Sequence, residues 1–282
     1  MIKVISGGLY TSVQDLGRFG QREFGVPLAG AMDSYSARLA NRLVGNSSDA
    51  AILEITHIGP VLHFTDKTEI AITGAGFSPT LNDDEIPLNT RILVQGDSTL
   101  KFGLPGYGMR AYLAISGGFS SEMSMGSYSQ YQGITLKDTI ENGDILMVQS
   151  FEKKTERVTA SVKVSRERFT SEKLEVYKGP DFHLLSKYLQ KSLLESALAV
   201  SSESNRMAYF LKGWEDFSAN EIVTAPVQPG TVQLTPSGQG IVLMRDAQTT
   251  GGYARVLQLT EKSINRLAQK LANAAVKFKL VE

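Results

Sequence analysis

Short segments rich in β-branched and aromatic residues recur along this chain, each bounded by Gly, Pro, Asn or Asp. Runs of about four to eight such residues between turn formers are typical of β-strands. The clearest lie at 2–5, 61–64, 69–73, 91–94, 99–102, 111–115 and 145–148. Asn142 and Gly143 predict a hairpin turn before the last of these, because both residue types tolerate a positive φ. The chain is therefore expected to be mainly β.

A few segments show the periodicity of amphipathic helices instead. They cover residues 34–44, 181–196 and 261–272. Asp33 is placed to cap the first helix, and Gly45 is placed to end it. Asp181 is a possible cap for the second. The apolar stripes of these helices are expected to pack against the core.

Composition bounds the partners and the location of the chain. With 282 residues and 42% hydrophobic content, it can bury a sizeable core in one large or two small domains. Its 29 Lys and Arg balance its 29 Asp and Glu, which removes the electrostatic case for nucleic acid or an anionic membrane as main partner. No apolar run reaches the roughly 20 residues of a membrane span, and the chain opens directly on a predicted strand. A cytoplasmic location is expected.

Several kinds of chemistry are disfavoured by missing residues or motifs. Cysteine is absent, and the histidines at 57, 63 and 183 do not have the i, i+4 spacing of a helical metal site. We therefore expect no metal. The sequence also lacks a G-x-S-x-G elbow and a P-loop. An ATP-dependent activity would need the nucleotide bound without a P-loop, or by a partner chain.

The middle of the chain separates two halves. Residues 151–173 turn polar and charged, which predicts an exposed crossing segment. A weak internal repeat supports two related halves, because 99–119 and 231–253 each read as a hairpin followed by Gly-Gly-aromatic. We expect an N-terminal lobe at 1–150 and a C-terminal lobe at 174–282, with strand exchange between the lobes allowed.

Polar residues concentrated near the start are candidates for a site. Asp15 and Arg18 are three residues apart in a Gly-bounded turn. They form either a local exposed ion pair or a site in which Arg18 clamps a substrate carboxylate or carboxyl-phosphate group. Asp33 could orient an amide N–H. Asn41 is a poor helix former inside a predicted helix and could hydrogen-bond into the same cleft.

Glu54 lies inside an apolar predicted strand. Burial could raise its pKa and make it a general acid or base. The alternative is a buried glutamate paired with an arginine. The sequence pattern is compatible with both.

A second polar turn follows the apolar segment 241–244 and contains Gln248, Thr249, Thr250, Gly251 and Gly252. Its glycines could expose backbone N–H groups that receive an oxyanion or a carboxylate. Alternatively, its side chains bond their own backbone in a hairpin turn. We predict that this turn and the Asp15–Arg18 turn face one cleft.

Seven sequence blocks together resemble the biotin-dependent carboxyltransferase family, nearly from end to end. They are 13–18 (VQDLGR), 30–33 (GAMD), 40–46 (ANRLVGN), 53–56 (LEIT), 110–118 (RAYLAISGG), 126–129 (GSYS) and 246–253 (DAQTTGGY). The chain departs from the family pattern in a few places. Asn205 and Ala208 stand where the family usually has Asp and Gly, Ala254 replaces a usual proline, and Gln130 replaces a usual threonine. These departures concern the details of the substrate pocket.

The resemblance implies two cyclophilin-like β-barrel lobes acting on a small amide beside partner subunits. It implies catalytic roles for Asp15, Arg18, Asp33 and Glu54. Substrate-binding roles are implied for Asn41, Arg206, Gln248, Thr249, Thr250, Gly251 and Gly252. Arg206 is the best cation of the second half, since it lies in the short Ser-Asn-Arg-Met motif.

Three activities are compatible with the resemblance. The first choice is ATP-dependent opening of 5-oxoproline to glutamate, in which this chain acts as the C subunit of a 5-oxoprolinase beside its A and B subunits and ATP is bound together with a partner. The second is carboxyl transfer from carboxybiotin to urea or a similar amide, which alone would require biotin. The third is non-catalytic regulation through a homologue of the B subunit. The chain has no biotin carboxylase signature and no biotin attachment site, which favours membership of a hetero-oligomer.

Overall fold

The computed structural model describes residues 1–148, 161–214 and 216–281. The chain forms two compact units. The first unit is Met1–Arg18 with Ala29–Phe169, and the second is Phe19–Leu28 with Thr170–Glu282. The chain thus passes into the second unit at Phe19 and again at Thr170, inside the predicted crossing segment. Residues 151–160 of that segment lie outside the described part.

The first unit is built mainly from short strands. They are β1 (Ile2–Ser6), β2 (Tyr10–Gln14), β3 (Ile52–Thr56), β4 (Val61–Phe64), β5 (Thr68–Gly74), β6 (Thr80–Leu81), β7 (Asp84–Glu85), β8 (Arg91–Val94), β9 (Ser98–Lys101), β10 (Arg110–Ile115), β11 (Phe119–Ser120) and β12 (Ile145–Val148). One sheet has the order β11-β12-β1-β4-β9-β6-β7, and the other β2-β3-β10-β5-β8. The strands predicted from sequence all form, with ends shifted by at most one residue.

Both sheets contribute to one apolar core. Leu62 and Phe64 from the first sheet cluster with Leu53, Ile72 and Leu113 from the second, and all five are buried. The opposite face of the second sheet is covered by helix α1 (Ser34–Leu43). Its central strands are therefore buried on both faces, which explains why β3 and β10 read as nearly continuous apolar runs.

Helix α1 forms as predicted. The Asp33 carboxylate accepts a hydrogen bond from the Ser36 amide at 3.1 Å, which satisfies one of the free donors at the helix start. The helix ends at Leu43, and Gly45 follows with a φ of 77°. Asp33 and Gly45 therefore begin and end the helix as predicted.

The second unit contains the remaining strands and two longer helices. The strands are β13 (Lys173–Lys178), β14 (Leu198–Val200), β15 (Ala208–Lys212), β16 (Ala225–Pro226), β17 (Thr231–Leu234), β18 (Gly240–Leu243), β19 (Thr250–Gly251), β20 (Ala254–Leu259) and β21 (Ala275–Leu280). The helices are α3 (Lys187–Glu195) and α4 (Glu261–Leu267), after the one-turn α2 (Glu167–Thr170) at the unit boundary.

Seven of these strands close into a barrel in the order β13-β20-β17-β18-β15-β14-β21. Closure comes from β13, which pairs antiparallel with β20 and parallel with β21. Strands β16 and β19 form a separate two-stranded ribbon. The prediction of a mainly β chain with a few helices is confirmed. The second unit is a closed barrel, whereas the first unit consists of two sheets around a common core.

The helix predicted at 181–196 is divided in two. One turn of 3-10 helix spans Phe182–Leu184, Leu185 is extended, and α3 begins after Ser186. The Ser186 hydroxyl accepts from the Leu189 amide and so caps α3 in place of Asp181, which pairs with Arg255 instead. Ser186, a capping residue inside the predicted amphipathic helix, was the sequence signal for this break. The third predicted helix, 261–272, is α4 and ends earlier, at Leu267.

Two predictions about hairpins are wrong. In the repeat, β17 and β18 pair as expected, but β9 and β10 belong to different sheets. The segment before Asn142 is not a strand, so the Asn142-Gly143 turn leads into β12 without forming a hairpin. Gly143 has a φ of 88°, and Asn142 is not among the positive-φ residues. Local turn residues predicted that the chain turns but not which strands pair.

Lys270 follows α4 and donates from Nζ to the Thr170 carbonyl at 2.9 Å. Burial, followed by the charge of Arg266, lowers the pKa of Lys270 to about 8. Between pH 8 and the unfolded value of about 10.4, the unfolded chain holds a proton that the folded chain has lost. The contribution of Lys270 to the free energy of unfolding therefore rises with pH between about 8 and 10.4.

We predict that the free energy of unfolding of the wild type, minus that of Lys270→Met, is flat below pH 8 and rises from pH 8 to 10. Urea denaturation at fixed pH values measures the difference. Lys187→Met, at an exposed lysine, controls for the loss of one positive charge. A flat or falling difference above pH 8 would contradict the assignment.

Candidate functional site

Asp15 accepts four hydrogen bonds inside the first unit. Oδ1 accepts from the Gly17 amide at 2.8 Å and from the hydroxyls of Ser127 and Ser129 at 2.7 and 2.6 Å. Oδ2 accepts from the Tyr128 amide at 2.7 Å. The side chain is 8% exposed. Asp15 therefore fixes its own turn to the 127–129 segment, and two of the sequence blocks that carry the family resemblance are in contact.

Arg18 binds the same segment. Its side chain is fully buried, Nε donates to the Ser124 carbonyl at 3.2 Å, and Nη2 donates to the Ser129 carbonyl. The sequence left open an exposed ion pair with Asp15, but burial of the guanidinium rules out an exposed one. These contacts give Arg18 a structural role. Direct contact with a substrate would require this network to open.

Glu54 and Asp33 meet at a buried tyrosine. Glu54 Oε2 accepts from the Tyr112 hydroxyl at 2.9 Å and from the Met32 amide at 2.7 Å, and Oε1 lies 3.7 Å from Arg110 Nε. The Tyr112 oxygen in turn accepts from the Asp33 amide at 2.7 Å. Burial, followed by the negative charges of Glu54 and Asp33, raises the pKa of Tyr112 well above its usual value. The phenol thus stays protonated and can donate to Glu54.

Of the two alternatives for Glu54, the observed geometry is that of a buried glutamate near an arginine. Asp33 combines this network with its role as the cap of α1. Both side chains are at most 1% exposed. They orient the 30–33 block against β3 and β10.

Asn41 also lies in a buried network. Its amide nitrogen donates to the Ala50 carbonyl at 2.8 Å, and its oxygen accepts from the Asn46 side chain at 3.1 Å. Asn46 bonds in addition to the Ile115 carbonyl and the Gly117 amide. This explains an asparagine inside α1, because the pair joins the helix end to the loop after β10.

Arg206 and Asp246 form a bidentate ion pair in the second unit. Arg206 Nε lies 2.7 Å from Asp246 Oδ2, and Nη2 lies 2.9 Å from Oδ1. Both side chains are nearly buried. The guanidinium fork is thereby occupied by an internal carboxylate. Asn205, at a family departure, accepts from the Met207 and Ala208 amides at 2.8 and 3.3 Å, as an aspartate there could.

A cavity with a volume of about 690 Å³ lies in the second unit. This is within the usual range for small-molecule sites. Among the described residues, the charged ones that line it are Arg22, Lys178 and Arg255, with the exposed Glu23 as the single carboxylate, and Thr249 and Thr250 also line it. Cationic side chains and hydroxyls are the groups that bind a small anion. The cavity is therefore a candidate site for a small anion.

Of the predicted turn, Thr249 and Thr250 line this cavity, whereas Gln248, Gly251 and Gly252 do not. Thr250 and Gly251 form β19, which pairs with β16. A Cβ on Gly251 would lie 2.8 Å from Gln233 Nε2, the end of a side chain that packs against this turn. The Gly252 carbonyl accepts from the Ile222 amide. The turn is thus a strand pair that presents its threonines to the cavity.

Sequence reasoning missed Arg22. It lies in the 3-10 turn Arg22–Phe24, which ends at Gly25 with a φ of 77° and an amide bonded to the Arg22 carbonyl. Nη2 of Arg22 donates to the Val227 carbonyl. A Gly-rich segment with one arginine was the available signal. The predicted cleft shared by the Asp15–Arg18 and Gln248–Gly252 turns remains a prediction.

Two features are absent from the described residues. No group of three or more His, Cys, Asp or Glu side chains is arranged there to hold a metal ion. None of the described helices is long and apolar enough to cross a membrane.

Residues 24–280 match the family model for the carboxyltransferase domain, subdomains A and B. The chain belongs to this family. The match covers both units, so the resemblance seen in the sequence blocks is confirmed. Glu54 and Asn41 lie within the matched residues, whereas Asp15 precedes them.

Two named relatives cover nearly the whole chain. The C subunit of the Escherichia coli 5-oxoprolinase is 36% identical over 279 residues, which are 95% of this chain and 87% of the relative. The protein of the same name from Haemophilus influenzae is 29% identical over 100% of this chain and 91% of the relative. The urea amidolyase of Saccharomyces cerevisiae is 42% identical, over 54% of this chain and 8% of its own length.

Solved structures agree with the sequence matches. TTHA0988 superposes with a TM-score of 0.89 at 30% identity, over 99% of this chain and 55% of that chain. The urea amidolyase of K. lactis superposes with a TM-score of 0.87 at 28% identity, over 100% of this chain and 19% of that chain. The chain thus spans about half of TTHA0988 and a fifth of the amidolyase.

The burial of Arg18 leads to a stability prediction. Arg18→Ala removes the donors of a buried and a part-buried carbonyl and should cost about 3 kcal/mol or more of unfolding free energy. Arg42→Ala, at an exposed arginine bonded to the Ser48 hydroxyl, should change it by about 0.5 kcal/mol or less. Urea denaturation of both variants checks this. Equal losses would show that the Arg18 contacts contribute little.

Proposed function

We propose that this chain is the C subunit of a 5-oxoprolinase, which acts with the B subunit to activate 5-oxoproline for ATP-dependent hydrolysis to glutamate. The observation that carries the proposal is the similarity to the Escherichia coli C subunit over 95% of this chain and 87% of the relative. A cytoplasmic location and a requirement for the A and B subunits belong to the same proposal.

The chemistry of the cavity supports this substrate. 5-Oxoproline combines a lactam with a carboxylate, so it is an anion at neutral pH. Arg22 and Lys178 supply positive charge, and Thr249 and Thr250 supply hydroxyls that can donate to or accept from the lactam. In this proposal, ATP is bound together with the B subunit, and the present chain binds and orients the lactam.

Carboxyl transfer to urea is the second candidate. It is favoured by the TM-score of 0.87 with the K. lactis urea amidolyase, although this chain covers only 19% of that protein. This reaction would use carboxybiotin, supplied by a partner. Urea carries no charge, so a site with unneutralised cations suits it less well than 5-oxoproline. A non-catalytic role through a homologue of the B subunit is the third.

We predict that the chain alone does not release glutamate from 5-oxoproline and ATP, and that it does so when mixed with the A and B subunits. Glutamate formation is measured in the full mixture and in mixtures lacking one component. Activity of the chain alone would contradict the partner requirement. An inactive full mixture would contradict the proposed function, and bicarbonate-dependent carboxylation of urea with a biotin carboxylase would then support the second candidate.

We also predict that the complex with the B subunit survives 0.5 M salt. The net charge of the chain is zero, so its interface should depend on apolar burial and hydrogen bonds more than on long-range attraction. Exposed charge pairs are largely screened at that ionic strength. Size-exclusion chromatography at about 0.05 and 0.5 M NaCl tests this, and dissociation at the higher concentration would contradict it.

A further inference from the structure

Two cations of the second-unit cavity, Arg22 and Lys178, have no carboxylate partner among the described residues. Arg255 is neutralised by Asp181, with Nε–Oδ2 and Nη2–Oδ1 distances of 2.8 and 3.3 Å. Lys178 is exposed, and its Nζ lies 5.6 Å from the centre of the Phe182 ring. Arg22 lines the same cavity and forms no ion pair within the described part of the chain.

The guanidinium of Arg22 is held on one side and unsatisfied on the other. Nη2 donates to the Val227 carbonyl. Nη1 is shielded from solvent and has no hydrogen-bond partner among the described residues. A shielded donor without an acceptor is unfavourable, and an unpaired charge adds to the cost. A carboxylate would supply both the acceptor and the counter-charge.

The position of Arg22 is fixed relative to the predicted substrate-binding turn. The Val227 amide donates to the Thr249 carbonyl at 3.0 Å, while the Val227 carbonyl accepts from Arg22. One residue therefore joins the arginine to the strand that begins at Thr250. Both threonines and Arg22 line one cavity.

We propose that Arg22 binds the carboxylate of the lactam substrate and so selects 5-oxoproline over uncharged amides. This inference rests on the proposed function. The ring amide is then left to the threonine hydroxyls, and the carboxylate contact determines which lactam enters. A planar fork that already has one fixed nitrogen loses little freedom on binding a carboxylate.

Binding is measured by isothermal titration on the assembled enzyme without ATP, with 5-oxoproline and with 2-pyrrolidinone, the same lactam without a carboxylate. The wild type should bind 5-oxoproline more tightly. Arg22→Gln should weaken the affinity for 5-oxoproline roughly 10- to 100-fold, which is the contribution of one charged hydrogen-bonded contact. It should leave 2-pyrrolidinone nearly unchanged. Arg22→Lys keeps the charge but not the planar fork, so its affinity for 5-oxoproline should lie between those of the wild type and Arg22→Gln.

Arg42→Gln is the matched control, because it makes the same substitution at an exposed arginine of the first unit. Loss of both ligands in parallel in Arg22→Gln would indicate a structural role and overturn the inference. Unchanged binding of 5-oxoproline, or equal wild-type affinity for the two lactams, would also overturn it. Turnover by the wild-type assembly tests the proposed function separately. If the wild type turns over 5-oxoproline but Arg22→Gln binds it unchanged, only the inference about Arg22 is wrong.

Discussion

Buried carboxylates that accept backbone hydrogen bonds hold the first unit in shape. A carboxylate removed from water needs several donors to offset its lost hydration. Asp15 obtains four, from Gly17, Ser127, Tyr128 and Ser129. Two of these donors, Gly17 and Tyr128, are backbone amides in loops outside the sheets, and the other two are serine hydroxyls. The Asp15 carboxylate thus regains hydrogen bonds in place of its lost hydration, and it supplies an acceptor for these two loop amides.

Glu54 extends this principle to the contact between sheet and helix. It lies on β3 and accepts from the Met32 amide just before α1, and the Tyr112 hydroxyl on the neighbouring strand connects it to Asp33. Because burial keeps the phenol protonated, the tyrosine can donate to one partner and accept from the other. Replacing such a network in part leaves charged groups buried without partners, so its members act as a unit.

The sequence predicted the strands and α1 well because their signals are local. Alternation, turn residues and the Asp33 cap all lie within a few residues of the elements they define. The pairing of β9 and β10 with different sheets could not be predicted in this way, since sheet membership depends on contacts distant in the chain. The break at Leu185 was within reach, because Ser186 is a capping residue inside the periodic run. The cavity could not be predicted from the sequence, because it brings Arg22 together with residues more than 150 positions later.

Site prediction from residue type alone meets a specific difficulty in this chain. Asp15, Arg206 and Arg22 are all charged residues in polar segments, and residue type alone does not tell which of them is free to bind a ligand. What separates them is how many of their donors and acceptors the protein already uses. Asp15 has its four bonds, and the Arg206 fork is filled by Asp246. Arg22 retains a nitrogen with no acceptor in the described part of the chain, beside a cavity large enough for a small anion. Unused hydrogen-bonding capacity next to accessible space is therefore a better guide to binding here than the density of polar residues in the sequence.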